Sequence, residues 1–223
     1  MTIDMQNLLD SILDSLERIE YIKPEDIPSI DLYMDQVTTF MDGKLVKTTR
    51  NPGDDKILTK TMINNYTKND LLPPPVRKKY SKEHVLLLIF IYYFKGILSI
   101  NDIQILLKPI TEKFFKPDGE FSLEQIYNEV FGLEKEHVEA LKADMAEKFN
   151  QAKETFQDAP EDSAEFLRLF SFICMLSLDV YVKKLLIEKM IDGMNQSVRP
   201  GEKQEAAEKK QKKEEKKREE KKL

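Results

Sequence analysis

Five side chains that can donate hydrogen bonds, Lys60, Thr61, Asn64, Asn65 and Lys68, are spaced so that a helix over about residues 59–70 carries them on one side. Met62, Ile63, Tyr66 and Leu71 fall on the other side at three-to-four spacing, and Thr59 is of the type that caps a helix start. Pro73, Pro74 and Pro75 lack N–H groups and push the residues before them into extended backbone, so this helix must end before about Leu72. Arg77, Lys78, Lys79 and Tyr80 follow at once. Amides and ammonium groups on a short helix can donate to base edges in a DNA major groove, and a neighbouring cationic strip can hold phosphates. The first five residues are therefore candidate base readers, and Arg77, Lys78, Lys79 and Tyr80 candidate holders of the backbone.

Other chemistries lack their residues. Seven glycines scattered over 223 residues form no phosphate-cradling loop. His84 and His137 are the only histidines and Cys174 the only cysteine, with no zinc-ligand spacing among them and no base beside the thiol in sequence. Carboxylates are abundant but mixed with lysine on helix faces. The expectation is no enzyme, no metal and no cofactor, with Cys174, inside an apolar run, as a buried structural thiol in a reducing, cytoplasmic setting.

The elements that must position the candidate residues are helical. Ser81 starts a helix over 81–98, in which the ten residues from Val85 to Phe94 leave no polar face; such a helix must be covered all round. Ser99 with Asp102 has the pattern of a capping box, opening a short helix over 100–107 that Pro109 stops. The apolar runs 85–94 and 169–178 are each ten residues long, about half of what a bilayer span needs. No membrane association is expected, and the acidic, amphipathic first residues lack the pattern of a secretory signal.

Charge is unevenly placed. Residues 1–43 carry 2 basic and 10 acidic side chains, 44–82 carry 10 and 3, 83–201 carry 13 and 20, and 202–223 carry 10 and 7. The positive block coincides with the candidate nucleic-acid residues, and an acidic body would orient the encounter with a polyanion.

The order N-x-Y-x-x-x-x-L-L-P-P-P from Asn64, a basic segment, Y-S-x-E-x-V from Tyr80, and L-S-I-x-D-I-x-x-L-L from Leu98 resembles the DNA-binding head of MerR-type regulators. The resemblance covers about residues 30–107 and is strong from Thr59 onward. Over most of its length the chain is also similar to a bacterial family with a domain of unknown function, whose front half is treated as MerR-like. The resemblance implies a winged helix-turn-helix: the helix over 59–70 enters the major groove, and 76–80 forms the wing. Four departures stand out. Asn64 replaces the usual arginine and Asn65 the first tyrosine, so base preference does not carry over. Asp70 stands where the family has glycine, and 76–79 holds no glycine for a two-residue hairpin turn, which implies a minimal wing built as a tight basic loop.

Around this head the pattern predicts further helices. An amphipathic helix over 7–22 packs on the body or on a second subunit, and Pro24 closes it. Asp31 caps a helix with Leu32, Val37, Phe40 and Met41 as its stripe, ended by Gly43. The polar stretch 44–56, with a turn at Asn51-Pro52-Gly53, is either a flexible loop bringing Lys44, Lys47 and Arg50 to phosphates or a disordered excursion. After Pro109 come helices over 110–115, 122–131, 134–149 and about 162–194, the last with too many apolar residues for one seam and so buried on two sides. Residues 199–223 are a Lys/Glu tail, disordered or transiently helical, with nothing to bury.

The expected fold is all-α: a helix and connector over 1–29, a MerR-like head over 30–108, a helical dimerisation or effector domain over 109–198, and the tail. The expected function is a homodimeric transcription regulator binding double-stranded DNA. The alternative is a helical protein-interaction module that keeps the helix-turn-helix as scaffold, or a sensor holding a small apolar effector in a pocket lined by Phe94, Phe170 or Phe172.

Overall fold

The computed structural model describes residues 5–16, 21–51, 56–116, 121–132 and 134–198. Within them the chain runs α1 (Met5–Leu16), β1 (Leu32–Tyr33), α2 (Met34–Leu45), α3 (Lys60–Lys68), β2 (Lys79–Tyr80), α4 (Lys82–Phe94), α5 (Ile100–Phe114), α6 (Leu123–Gly132), α7 (Glu134–Lys153) and α8 (Glu161–Val198). Single 3-10 turns lie at Pro24–Asp26 and Val46–Thr48. The chain is mainly helical, as expected. The tail, most of the Asn51-Pro52-Gly53 turn, Ile19 and Leu133 lie outside the described residues.

Helix α4 is the hub of the larger core. Every residue from His84 to Ile91 is buried, because the helix is enclosed by neighbours on all sides. Val37, Met41 and Leu45 of α2, Ile63 and Tyr66 of α3, the leucine pair Leu71 and Leu72 after α3, Ile103 and Leu107 of α5, and Tyr127 of α6 share this core, and α8 adds Ile191. Full burial of such side chains is worth about 1.5–3 kcal/mol each, which is what an amphipathic helix as short as α3 needs to stay folded. Tyr127 further donates its hydroxyl to the Ile22 carbonyl at 2.7 Å, pinning the segment before β1.

A second, separate cluster joins Met5 and Leu9 of α1 to Met145, Phe149 and Ala152 of α7 and Phe172 of α8. Lys148 ties α7 to α8 by an ion pair with Asp179 at 2.9 Å while also pairing with Asp144 on its own helix. The Asp179 carboxyl is held below its usual value mainly by the hydrogen bond from Lys148. α8 thus touches both clusters, Phe172 in one and Ile191 in the other.

Several expectations are corrected. Residues 31–33 are not helical: Leu32 and Tyr33 form β1, pairing antiparallel with Tyr80 and Lys79, and α2 starts only where the Tyr33 N–H is capped by Gln36 Oε1 at 2.9 Å. Gly43 does not end α2, which runs on to Leu45, whose burial anchors the next turn. Pro109 does not stop α5. It removes one intrahelical donor, but Ile103 and Leu107 on one side of it and packing against α8 hold the helix together through Phe114. The expected boundary at 108/109 therefore falls inside a helix. α1 starts at Met5, before the expected 7, and does not reach 22, since Tyr21 to Lys23 are not helical.

The largest correction concerns α8. Instead of being buried on two sides, it leaves residues 180–186 exposed without interruption, two turns of helix that include Val180, Tyr181, Val182, Leu185 and Leu186. Phe166, Phe170, Ile173, Leu178 and Met190 are exposed as well. Cys174 lies on this uncovered helix and is exposed, not a buried thiol.

Candidate nucleic-acid interface

α3 is defined at both ends by hydrogen bonds that its sequence supplies. Thr59 Oγ1 accepts from the Met62 N–H at 3.2 Å, satisfying one of the open donors at the helix start. At the other end the Leu71 N–H reaches the Tyr66 carbonyl at 2.9 Å and the Asp70 N–H the Thr67 carbonyl at 3.3 Å. These are the two bonds of a Schellman motif, and they require a left-handed residue between them. Asp70 fills that position with φ 55°. The helix therefore stops at Lys68 through this cap, before the prolines act, and the leucine pair turns back into the core.

The cap and the buried Ile63 and Tyr66 fix which side of α3 faces out. Lys60, Thr61, Asn64, Asn65 and Lys68 are all exposed. Thr61, Asn64, Asn65 and Lys68 stand at i, i+3, i+4 and i+7 and so share one face, on which α3 carries no acidic residue. Lys60 lies at its edge and pairs with Asp35 of α2; both groups are well exposed, so the pair is weak and open to exchange for a phosphate.

After the prolines the chain makes a two-residue hairpin. Val76 and Lys79 exchange both backbone hydrogen bonds, at 3.0 and 3.1 Å, and Arg77 and Lys78 between them have φ of 51° and 65°. Two left-handed residues in the loop are what a type I′ turn demands. The lack of glycine does not prevent the hairpin. It places strain of about 1–2 kcal/mol per residue at the tip, offset by the pairing of β2 with β1 and the burial of Tyr80. Arg77 and Lys78 are exposed at this tip, and Lys79 is half-buried with its ammonium 5.3 Å from the Tyr33 ring centre, a cation–π contact.

Tyr80 is the exception among the nine candidates. It is only 2 % exposed, faces Leu32 across the strand pair, and burial raises its phenol pKa. Its side chain is core, not a surface for phosphate. Beside it sits His84, 3 % exposed, edge-on to both Tyr80 (5.5 Å) and Phe115 (4.8 Å). His84 Nδ1 accepts from the Ser81 N–H at 3.0 Å, which places the proton on Nε2, and Nε2 has no partner in hydrogen-bonding geometry. Burial pushes this imidazole pKa down against the opposing pull of the Pro74 and Pro73 backbone, Glu83 and Asp31. Sequence reasoning missed His84 because a histidine at the third position of a helix reads as surface.

The segment joining α2 to α3 is anchored at both ends. Thr48 Oγ1 and Tyr92 Oη lie 2.6 Å apart, Lys95 donates to the Ile57 carbonyl at 2.6 Å, and Ile57 and Leu58 are buried. Burial lowers the Lys95 pKa. Lys47 and Arg50 are exposed, whereas Lys44 pairs with Asp26 at 3.1 Å. The expected effector pocket does not form from its three phenylalanines: Phe94 packs on the larger core, Phe172 lies in the second cluster, and Phe170 is exposed. A cleft of about 300 Å³ beside α3 is lined by the polar Asp70, Gln104, Lys108, Thr111 and Glu112.

Residues 22–130 match a family model described as Domain of unknown function (DUF1836). The matched stretch runs from before β1 into α6, so it contains all nine candidate residues and most of the core around α4, and it ends before α7 and α8. The chain matches no curated protein and no solved structure. Among the described residues no helix is long and apolar enough to cross a membrane, and no group of three or more His, Cys, Asp or Glu side chains could hold a metal ion.

Proposed function

We propose that this chain is a DNA-binding transcriptional regulator with a MerR-like winged helix-turn-helix head. α3 lies in the major groove, and the Val76–Lys79 hairpin rests on the phosphate backbone. The observation that carries the reading is the outward face of α3: Thr61, Asn64, Asn65 and Lys68 on one side of a helix that has no acidic residue, followed in the chain by a hairpin whose tip is two exposed cations. The order strand, helix, helix, hairpin, with the hairpin strand paired to the first strand, supports the same reading. Lys60, Arg77, Lys78 and Lys79 supply phosphate contacts, and no catalytic role is part of the proposal.

The regulator acts as a homodimer. One nine-residue helix reads too few base pairs alone, and a two-fold axis supplies a second half-site. The second copy sits on the uncovered part of α8. Among the described residues, eleven of the exposed large apolar side chains belong to α8. At roughly half exposure they present on the order of 1,000 Å², above the ~800 Å² per partner of a standard interface.

Binding of the full chain to duplex DNA, followed by anisotropy over a range of salt concentrations, tests the reading. The apparent affinity falls steeply with salt, and Lys78→Ala weakens all sequences while reducing the slope by about one unit. Binding that ignores salt, or no binding to any duplex, rejects the regulator. It would favour a protein-interaction module, for which the bare turns of α8 are the supporting observation.

A further inference from the structure

Two asparagines in the middle of a nine-residue helix need a reason. Asn64 and Asn65 are both exposed, and their side chains make no hydrogen bond with another described residue; the bond at this point is from Asn69 Nδ2 to the Asn65 backbone carbonyl. Asparagine is among the poorer helix formers, costing about 0.6 kcal/mol relative to alanine at each interior position. A short helix with no acidic residue in its first turn has little to spare for two such positions. Neither residue caps an end, since Thr59 and Asp70 perform those tasks. The cost is therefore not returned inside the chain.

We infer that Asn64 and Asn65 read adenine, so that the target half-site contains an A·T pair opposite each of them. The inference rests on the regulator reading above. A carboxamide carries one acceptor and one donor side by side, and in the major groove adenine alone presents the complementary pair, the N6 amino donor and the N7 acceptor. Guanine offers two acceptors and is matched by a cation. The helix geometry separates the two tasks. Asn64 and Asn65 flank the line through Thr61 and Lys68, one to each side, which aims them at neighbouring base pairs. Thr61 presents a methyl group suited to the C5-methyl of thymine, and Lys68 presents its ammonium to guanine or to phosphate.

Selection of duplexes from a random pool with the full-length chain, followed by titration of base analogues in the selected site, tests this. The expected motif holds adenine at two positions per half-site. Replacing either adenine by 7-deazaadenine, which removes only N7, weakens binding by about 5- to 100-fold. Asn64→Ala abolishes the preference at one of the two positions and leaves the salt slope unchanged. Asn64→Gln retains it, since glutamine carries the same donor–acceptor pair. A selected motif whose binding does not respond to 7-deazaadenine, or which specifies guanine at these positions, overturns the adenine assignment and leaves DNA reading in place. Failure to enrich any sequence, with salt-independent binding, overturns both. The analogue arm uses the unaltered protein, so it does not depend on any variant folding.

Discussion

Helices α4 and α8 are built from the same kinds of side chain and meet opposite fates. α4 is sealed, with eight consecutive residues buried from His84 to Ile91, while α8 carries apolar residues through 180–186 and has none of them covered. An apolar run declares that burial would be favourable. It does not say which surface provides it. For α4 the providers are α2, α3, α5 and α6 together with Ile191 of α8, and for α8 no described part of the chain covers the middle turns.

The sharpest way to probe the contrast is truncation in each helix. Leu88→Ala in α4 should cost about 2–5 kcal/mol in denaturant unfolding, because Leu88 has no exposed surface and the substitution leaves a cavity among its packed neighbours. A loss under 1 kcal/mol would mean that α4 is not sealed. In α8 the effect should appear in mass instead. The wild-type chain should sediment as a dimer at micromolar concentration, and Val182→Glu with Leu186→Glu should weaken the dimer by at least about tenfold, ~1.4 kcal/mol. A wild-type mass of one chain would leave these turns without the partner we assign.

Acid provides a third probe, because α4 contains a buried titratable group and the middle of α8 does not. His84 has its folded pKa lowered from 6.5, so the unfolded chain takes up the proton first as pH falls. The stability it contributes is fully present above about pH 6.5–7.5 and is lost as pH drops through 6.5 toward the folded value, at up to ~1.4 kcal/mol per pH unit. Protonated Nδ1 would also lose its bond from the Ser81 N–H. Denaturant midpoints measured between pH 7.5 and 5 should show this slope, and His84→Gln should flatten it. The smallest expected change spares both helices: Asp70→Gly should stabilise by about 0.5–1 kcal/mol, since glycine adopts φ 55° without penalty. Destabilisation would show that the Asp70 side chain contributes something the backbone geometry does not reveal.

Where a cap was readable, as Asp31 and Gly43 were not, it followed a local rule. Thr59 and Ser99 act as the sequence predicts, with Ser99 accepting from the Asp102 N–H at 3.2 Å, and Ser122 likewise accepts from the Gln125 N–H at 3.2 Å where the helix over 122–131 was expected to start. The outward side of α3 was equally legible, since three-to-four spacing separates Ile63 and Tyr66 from Asn64 and Lys68. Elements set by distant contacts were not. β1 is two residues long and has no periodicity, so Leu32 reads as helix in sequence, and its strand conformation is set by Tyr80 opposite it. Tyr80 read as a surface group for the same reason. Pro109 read as a stop because the packing of α5 on α8 that overrides it lies about eighty residues away in sequence. Cys174 reads as buried by analogy with its apolar neighbours, but of these Phe172 alone is buried, Met175 and Leu176 are half-buried and Ile173 is exposed like the thiol.

A helix anchored near each end and bare between reverses the usual order of opening. Ordinary helices fray from their ends, but here Phe172 and Ile191 hold α8 into two separate clusters while 180–186 depends on its backbone bonds and one exposed Lys184–Glu188 ion pair. Amide hydrogens in the central turns of the isolated chain should therefore exchange with deuterium faster than those near either anchor. A bound second copy should slow those same amides, turning the least protected stretch of the helix into a direct readout of assembly.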